Sequence, residues 1–203
     1  MVSSGRLGDE LEGSRVNIVV GMSGASGVIY GIRALEVLAD DLAVTTHLVM
    51  TPTAKMNIEI ETSWSVADVE ALADEVHAHR DVAASIASGS FDADAMLIAP
   101  CSMKTLSAVV NSYADNLLTR AADVMLKERR RLVVMPRETP LHVGHAKLMY
   151  ELAQLGAILV PPMPAFYNRP ATVEDIVDHS VGKALDMLGV ENKLIVPWTG
   201  RAT

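Results

Sequence analysis

Gly21-Met22-Ser23-Gly24-Ala25-Ser26-Gly27 follows the apolar run Val16 to Val20 and opens a helical pattern at Val28. An apolar strand, a small-residue turn and an amphipathic helix make the first unit of a nucleotide-binding α/β sheet. The glycines let the backbone approach a ligand and take positive φ, and free N–H groups at the helix start attract phosphate. Ser26 adds a hydroxyl at the same mouth. The spacing Gly-x-x-Gly-x-x-Gly is neither the dinucleotide fingerprint nor a P-loop. Taken alone it also reads as a tight strand-to-helix turn without a ligand, so it needs a partner elsewhere in the chain.

The first helix carries Val28, Ile29, Ile32, Leu35 and Leu38 at helical spacing. Val44 to Met50 is the second strand, stopped by Thr51-Pro52; Thr51 is either a rim hydroxyl or a loop cap. Two short helical patterns fill Thr53 to Ala73, the second opened by a capping box of Ser65 and Asp68. Glu59 and Glu61 lie between them, one facing a site or both solvated. His77-x-His79 has the spacing of a metal pair, but no Cys or His motif completes a set, so no metal is expected. Val82 to Ser88 reads as a small-residue helix.

The partner turn comes after the third strand, Ala95 to Ala99, in Pro100-Cys101-Ser102-Met103-Lys104-Thr105. Strand ends of a parallel sheet share one rim, so these hydroxyls and the ammonium converge with Ser26 on one ligand. Cys101 reads as a small buried thiol. Leu106 to Arg130 is one long helical stretch carrying Asn111, Tyr113, Asn116 and Arg120, with a basic C-terminus that answers the dipole. Leu132 to Met135 then runs into Pro136-Arg137-Glu138-Thr139-Pro140. Ionised groups directly after a buried strand cost desolvation unless something satisfies them. An arginine that grips phosphate and a glutamate that moves protons make this the strongest catalytic candidate. His142 to Leu155 is a helix closed by Gly156, Ala157 to Val160 the last strand, and Pro161 to Pro170 a rigid apolar loop with the phenol of Tyr167, suited to a lid. Thr172 and Asp175 cap the final helix, which runs to about Leu188 and carries Lys183.

Five strands alternating with helices, without an internal repeat, indicate a Rossmann-like, doubly wound parallel sheet in a three-layer α/β/α sandwich. With 203 residues and 50% hydrophobic content, one large domain is expected. It spans 16–190, between a polar, disordered N-terminal tail (1–15) and a C-terminal tail (191–203). Aromatics are only 4%, so aliphatic residues and 11 Met fill the core. The net charge of −8 argues against a nucleic-acid surface. A single cysteine, no membrane-length apolar run and no signal-peptide pattern suit the cytoplasm.

Gly24-Ala25-Ser26-Gly27, Pro100-Cys101-Ser102, Arg120-Ala121-Ala122-Asp123, Leu126-Lys127-Glu128-Arg129-Arg130, Pro136-Arg137-Glu138-Thr139-Pro140 and Phe166-Tyr167-x-x-Pro170 together resemble the UbiX-type flavin prenyltransferases, from about Val16 to Val190. That resemblance implies a homo-oligomer, usually a dodecamer. It would join the dimethylallyl group of dimethylallyl phosphate to N5 and C6 of reduced FMN and pass the prenylated cofactor to a UbiD-type decarboxylase. Carried over by motif, Gly24, Ala25, Ser26, Thr51, Ser102, Met103, Lys104, Thr105, Arg120 and Arg137 would hold FMN. Lys127, Arg137, Tyr167 and Lys183 would converge on the prenyl phosphate, and Glu138, Glu61 and Ser26 would serve the chemistry. Lys183 stands where several relatives carry arginine; the lysine keeps the charge and loses the bidentate geometry of a guanidinium. The sequence has no aspartate-rich magnesium motif, consistent with metal-free transfer from a monophosphate. Two rivals are a flavin-dependent cysteine decarboxylase using His77, whose Asn and Met clamp motif is absent, and a non-catalytic flavin binder, which has no need of Glu138.

Overall fold

The computed structural model describes residues 15–195 and Gly200, so most of both expected tails lies outside the described residues. Six parallel strands form one sheet in the order β3-β2-β1-β4-β5-β6. They are β1 (Val16–Met22), β2 (Val44–Met50), β3 (Glu75–His77), β4 (Ala95–Cys101), β5 (Arg131–Pro136) and β6 (Ile158–Leu159). The order reverses between β1 and β4, and that switch point is where such sheets open a crevice at their carboxyl ends.

Alternation along the strands decides the layers. Ile18, Val20 and Met22 face a core closed by α1 (Ile29–Ala39) and α7 (Val173–Leu188), with Ile58 from α2 (Pro52–Glu61) and Val69 from α3 (Val66–Glu70). Val19, Met96 and Ile98 face the opposite core, closed by α4 (Met103–Val110), α5 (Leu117–Lys127) and Leu152 of α6 (Val143–Gln154). Each fully buried Leu, Ile or Met contributes about 1.5–3 kcal/mol by leaving water. The three-layer sandwich is as the periodicity indicates.

Three local expectations are corrected. Among the described residues the sheet has six strands, because β3 pairs with β2 at its edge. Its register is set by Asp74, whose carboxylate accepts from the backbone N–H (2.8 Å) and hydroxyl (3.0 Å) of Thr46. The stretch read as a helix at Val82 to Ser88 holds only a 3₁₀ turn, Ser85–Ala87. The single long helix is two, broken after Asn111, where Ser112 takes a φ of 52°, and restarted by Asn116, whose side chain accepts from the Thr119 N–H.

Gly31 lets α1 lie directly on the sheet. A Cβ there would stand 2.3 Å from the Ala99 carbonyl oxygen and 3.0 Å from Met22 side-chain carbons. Backbone cannot yield as a side chain can, so Gly31→Ala is expected to cost about 1–3 kcal/mol or more. Chemical denaturation checks this, and an unchanged midpoint would mean α1 lifts off without penalty.

Candidate functional site

The turns after β1, β4 and β5 lie side by side and are tied together by backbone and one buried hydroxyl. The Ser23 hydroxyl donates to the Pro100 carbonyl (3.0 Å) and accepts from the Ser102 N–H (2.7 Å). The Arg137 N–H donates to the Cys101 carbonyl (3.0 Å). The two polar turns read from the sequence therefore form one rim, and Ser23, unremarked among the small residues, staples them.

A cleft of about 1100 Å³ opens on this rim. Gly24, Thr51, Ser102, Lys104 and Thr105 line it, joined by His79, Arg80, Tyr113 and Asn116. Three helix starts meet here, because Thr51 caps α2, Ser102 caps α4 and Asn116 caps α5. Their N-terminal dipoles add to the charges of Lys104 and Arg80 and favour an anion. Thr51 is thus both rim hydroxyl and cap. Burial pushes the His79 imidazole below its ordinary range; Asp115 opposes this, while Arg80 and Lys104 push further in the same direction. The shift favours the neutral imidazole, which offers a hydrogen bond rather than a charge. The H-x-H pair does not act together, since His79 turns to the cleft and His77 to β2.

The glycine turn itself differs from the expectation of free N–H groups. The Glu61 carboxylate accepts from the N–H of Gly27 (2.7 Å) and of Val28 (3.4 Å), and Asn57 donates to the Ala25 carbonyl (3.1 Å). Gly27 has a φ of 96°, which only glycine takes without strain. Glu61 is therefore the anion at the start of α1. Glu61→Ala is expected to lower stability by about 1–2 kcal/mol, as loss of a cap does. Thermal and urea unfolding measure it, and an unaltered midpoint would leave Glu61 with no part in holding the turn.

Ser26 is exposed on this turn, Ala25 is buried beside it, and Met103 packs into the core under α4. Tyr30, which sequence reasoning missed, lies over Gly27 and close to Arg137. Burial raises its phenol, and the Arg137 charge draws it part of the way back. A tyrosine one turn beyond a glycine-rich loop was the signal available. Glu138 is exposed next to Arg137 and accepts from the Thr139 N–H (2.9 Å). Cys101 is fully buried and its thiol is pushed far up, so it is no nucleophile.

The expected phosphate cations do not converge within one chain. Lys127 ends α5 at the edge where β5 begins, paired with Glu128, whereas Arg137 leaves the opposite end of β5. About 17 Å of strand separate those ends. Lys183 lies two-thirds along α7, on the way to the same lower edge, and pairs with Asp186 at 3.7 Å. Tyr167 bonds to His179 through its hydroxyl (2.9 Å), beside the 71% exposed Phe166. Arg120 reaches the Ala87 carbonyl (3.0 Å) and Asp123 (2.9 Å), so in its own chain it supports the 3₁₀ turn and does not enter the cleft.

A family profile described as Flavoprotein matches residues 8–185. The flavin prenyltransferase UbiX of Thauera aromatica is 58% identical over 185 residues, covering 91% of this chain and 95% of that protein. Among solved structures, a dodecameric FMN-dependent UbiX-like decarboxylase from Escherichia coli O157:H7 superposes with a TM-score of 0.90 at 50% identity, covering 91% of this chain and all of the other. AnUbiX, solved in complex with FMN and dimethylallyl pyrophosphate, gives a TM-score of 0.90 at 47% identity, covering 93% of this chain and 100% of its own.

Proposed function

Since this chain belongs to the Flavoprotein family and, within it, to the UbiX-type flavin prenyltransferases, we propose that it joins the dimethylallyl group of dimethylallyl phosphate to N5 and C6 of reduced FMN. The observation that carries this reading is the cleft itself. Three helix starts, Lys104 and Arg80 favour a phosphate at its wall, and the Arg137-Glu138 pair stands on the adjoining rim.

The residues fit FMN. Gly24, Ala25 and Ser26 would give backbone and hydroxyl contacts, Thr51, Ser102 and Thr105 hydroxyls, and Lys104 a charge, with Met103 as apolar backing. Bound reduced FMN supplies the nucleophile. Arg137 would neutralise the departing phosphate with two parallel hydrogen bonds. Tyr30, kept protonated by its burial, would hold that guanidinium in place. Glu138 would take up the proton released as the new ring closes, and Glu61 would keep the glycine turn in shape. Lys127 would complete the phosphate site from a neighbouring copy, since its own chain carries it to the far edge of the sheet; Tyr167 and Lys183 are further contributors. The dodecameric relative supports an assembly that supplies such a neighbour. A UbiD-type decarboxylase would receive the product, in the cytoplasm; among the described residues no helix is long and apolar enough to cross a membrane.

The direct test is anaerobic incubation with reduced FMN and dimethylallyl phosphate, or the diphosphate in a parallel arm, followed by mass spectrometry of the extracted flavin. A gain of one C5H8 unit is expected with the monophosphate. Unmodified flavin from protein shown to bind FMN would overturn the reading.

A further inference from the structure

His77, which the sequence paired with His79, instead meets two residues that no spacing connects. His47 Nδ1 lies 3.2 Å from His77 Nε2 and 3.4 Å from Glu75 Oε2, and His77 Nε2 lies 3.8 Å from the same oxygen. The register of β2 against β3, with His47 beside Glu75 and Val49 beside His77, creates the cluster.

We propose that His47, Glu75 and His77 form a site for a divalent transition-metal ion of the zinc class, which clips the edge strand β3 to β2. Two imidazole nitrogens bound to one zinc at about 2.0–2.1 Å stand about 2.9 Å apart at a right angle and about 3.4 Å apart at the tetrahedral angle. The observed 3.2 Å falls between these limits. Two imidazoles and one carboxylate, with a position left for water, are also the donor set that intermediate metals select. Glu75 and Asp74 both act on His47 with negative charge, which draws a cation inward.

The site is separate from the cleft chemistry. His47 precedes Thr51 by four residues of strand, about 13 Å. Its reach toward the cleft is indirect, because β3 leads two residues later into His79 and Arg80, which line the cleft wall. The metal is therefore a clamp on the sheet edge and on that wall, with no part in prenyl transfer.

The test uses the full, tag-free chain stripped with chelator and titrated with Co2+ as a spectroscopic stand-in for zinc. One equivalent per chain is expected to give a ligand-field band that Zn2+ displaces. His77→Gln and Glu75→Gln should each weaken binding at least as much as the roughly 10–100-fold cost of losing an outer-shell partner. Amide hydrogen exchange in β3 should slow on metal addition. The histidine pair at the start of α6, the capping His142 and His145 in the first turn, with ring centroids 3.7 Å apart, is the control: the band survives His145→Gln. Absence of a band at one equivalent, or a band that both cluster variants keep at full affinity, would overturn the site. FMN binding by each variant confirms that it is folded.

Discussion

Glu138→Gln is expected to slow flavin prenylation by about 10²–10⁴-fold, the usual contribution of a positioned proton-transfer group, while leaving FMN affinity nearly unchanged. The glutamate lies two residues beyond β5, exposed on the rim, with one carboxylate oxygen occupied by the Thr139 N–H. A glutamine side-chain oxygen accepts the same hydrogen bond, so the loop keeps its shape. The amide cannot take a proton at the pH of the reaction, so the defect falls on kcat and leaves KM in place. Single-turnover prenylation under anaerobic conditions, with FMN affinity measured in parallel, separates the two. A variant that prenylates at the full rate would remove Glu138 from the chemistry and leave Arg137 as the functional residue of that turn. Loss of FMN binding instead would make Glu138 a scaffold for the cleft.

The parts legible in the sequence were those written within about four residues of themselves. β1, β2, β4 and β5 announced themselves by apolar runs, and the capping boxes of Ser65 with Asp68 and Thr172 with Asp175 are both formed. Gly156 takes the positive φ, 102°, that its place after α6 requires. β3 was invisible because Glu-Val-His is short, polar and at an edge, and it owes its pairing to Asp74 reaching Thr46 across 28 residues. The break between α4 and α5 was written in Asn111-Ser112 and in Asn116, but the flanking apolar residues masked it. At the site, the rim was predictable from strand ends, whereas its fastenings were not. Ser23 meets Ser102 across 79 residues and Glu61 meets Gly27 across 34, and no local pattern encodes such distances. The motif-based reading gathered the site residues in one list, yet it could not tell which edge of the sheet each would occupy.

That last point sets the second large prediction. Lys127→Ala and Arg137→Ala should each lower prenyl transfer by about 10²–10³-fold, the scale for removing one electrostatic contact to a developing charge. Co-expressed at equal levels, the two inactive chains should recover roughly a quarter of wild-type activity. In a closed homo-oligomer each site takes Arg137 from one copy and Lys127 from another, and random pairing leaves both intact in about one site of four. Were both residues supplied by one chain, every site in the mixture would lack one of them and activity would stay at the level of the parents. The topology favours the first outcome, because β5 runs its full length between the two side chains. Tagging the variants differently and purifying through both tags ensures that only mixed assemblies are assayed. Activity at parental levels in such assemblies would show that Lys127 has no role across the interface, and its ion pair with Glu128 would then be its whole function.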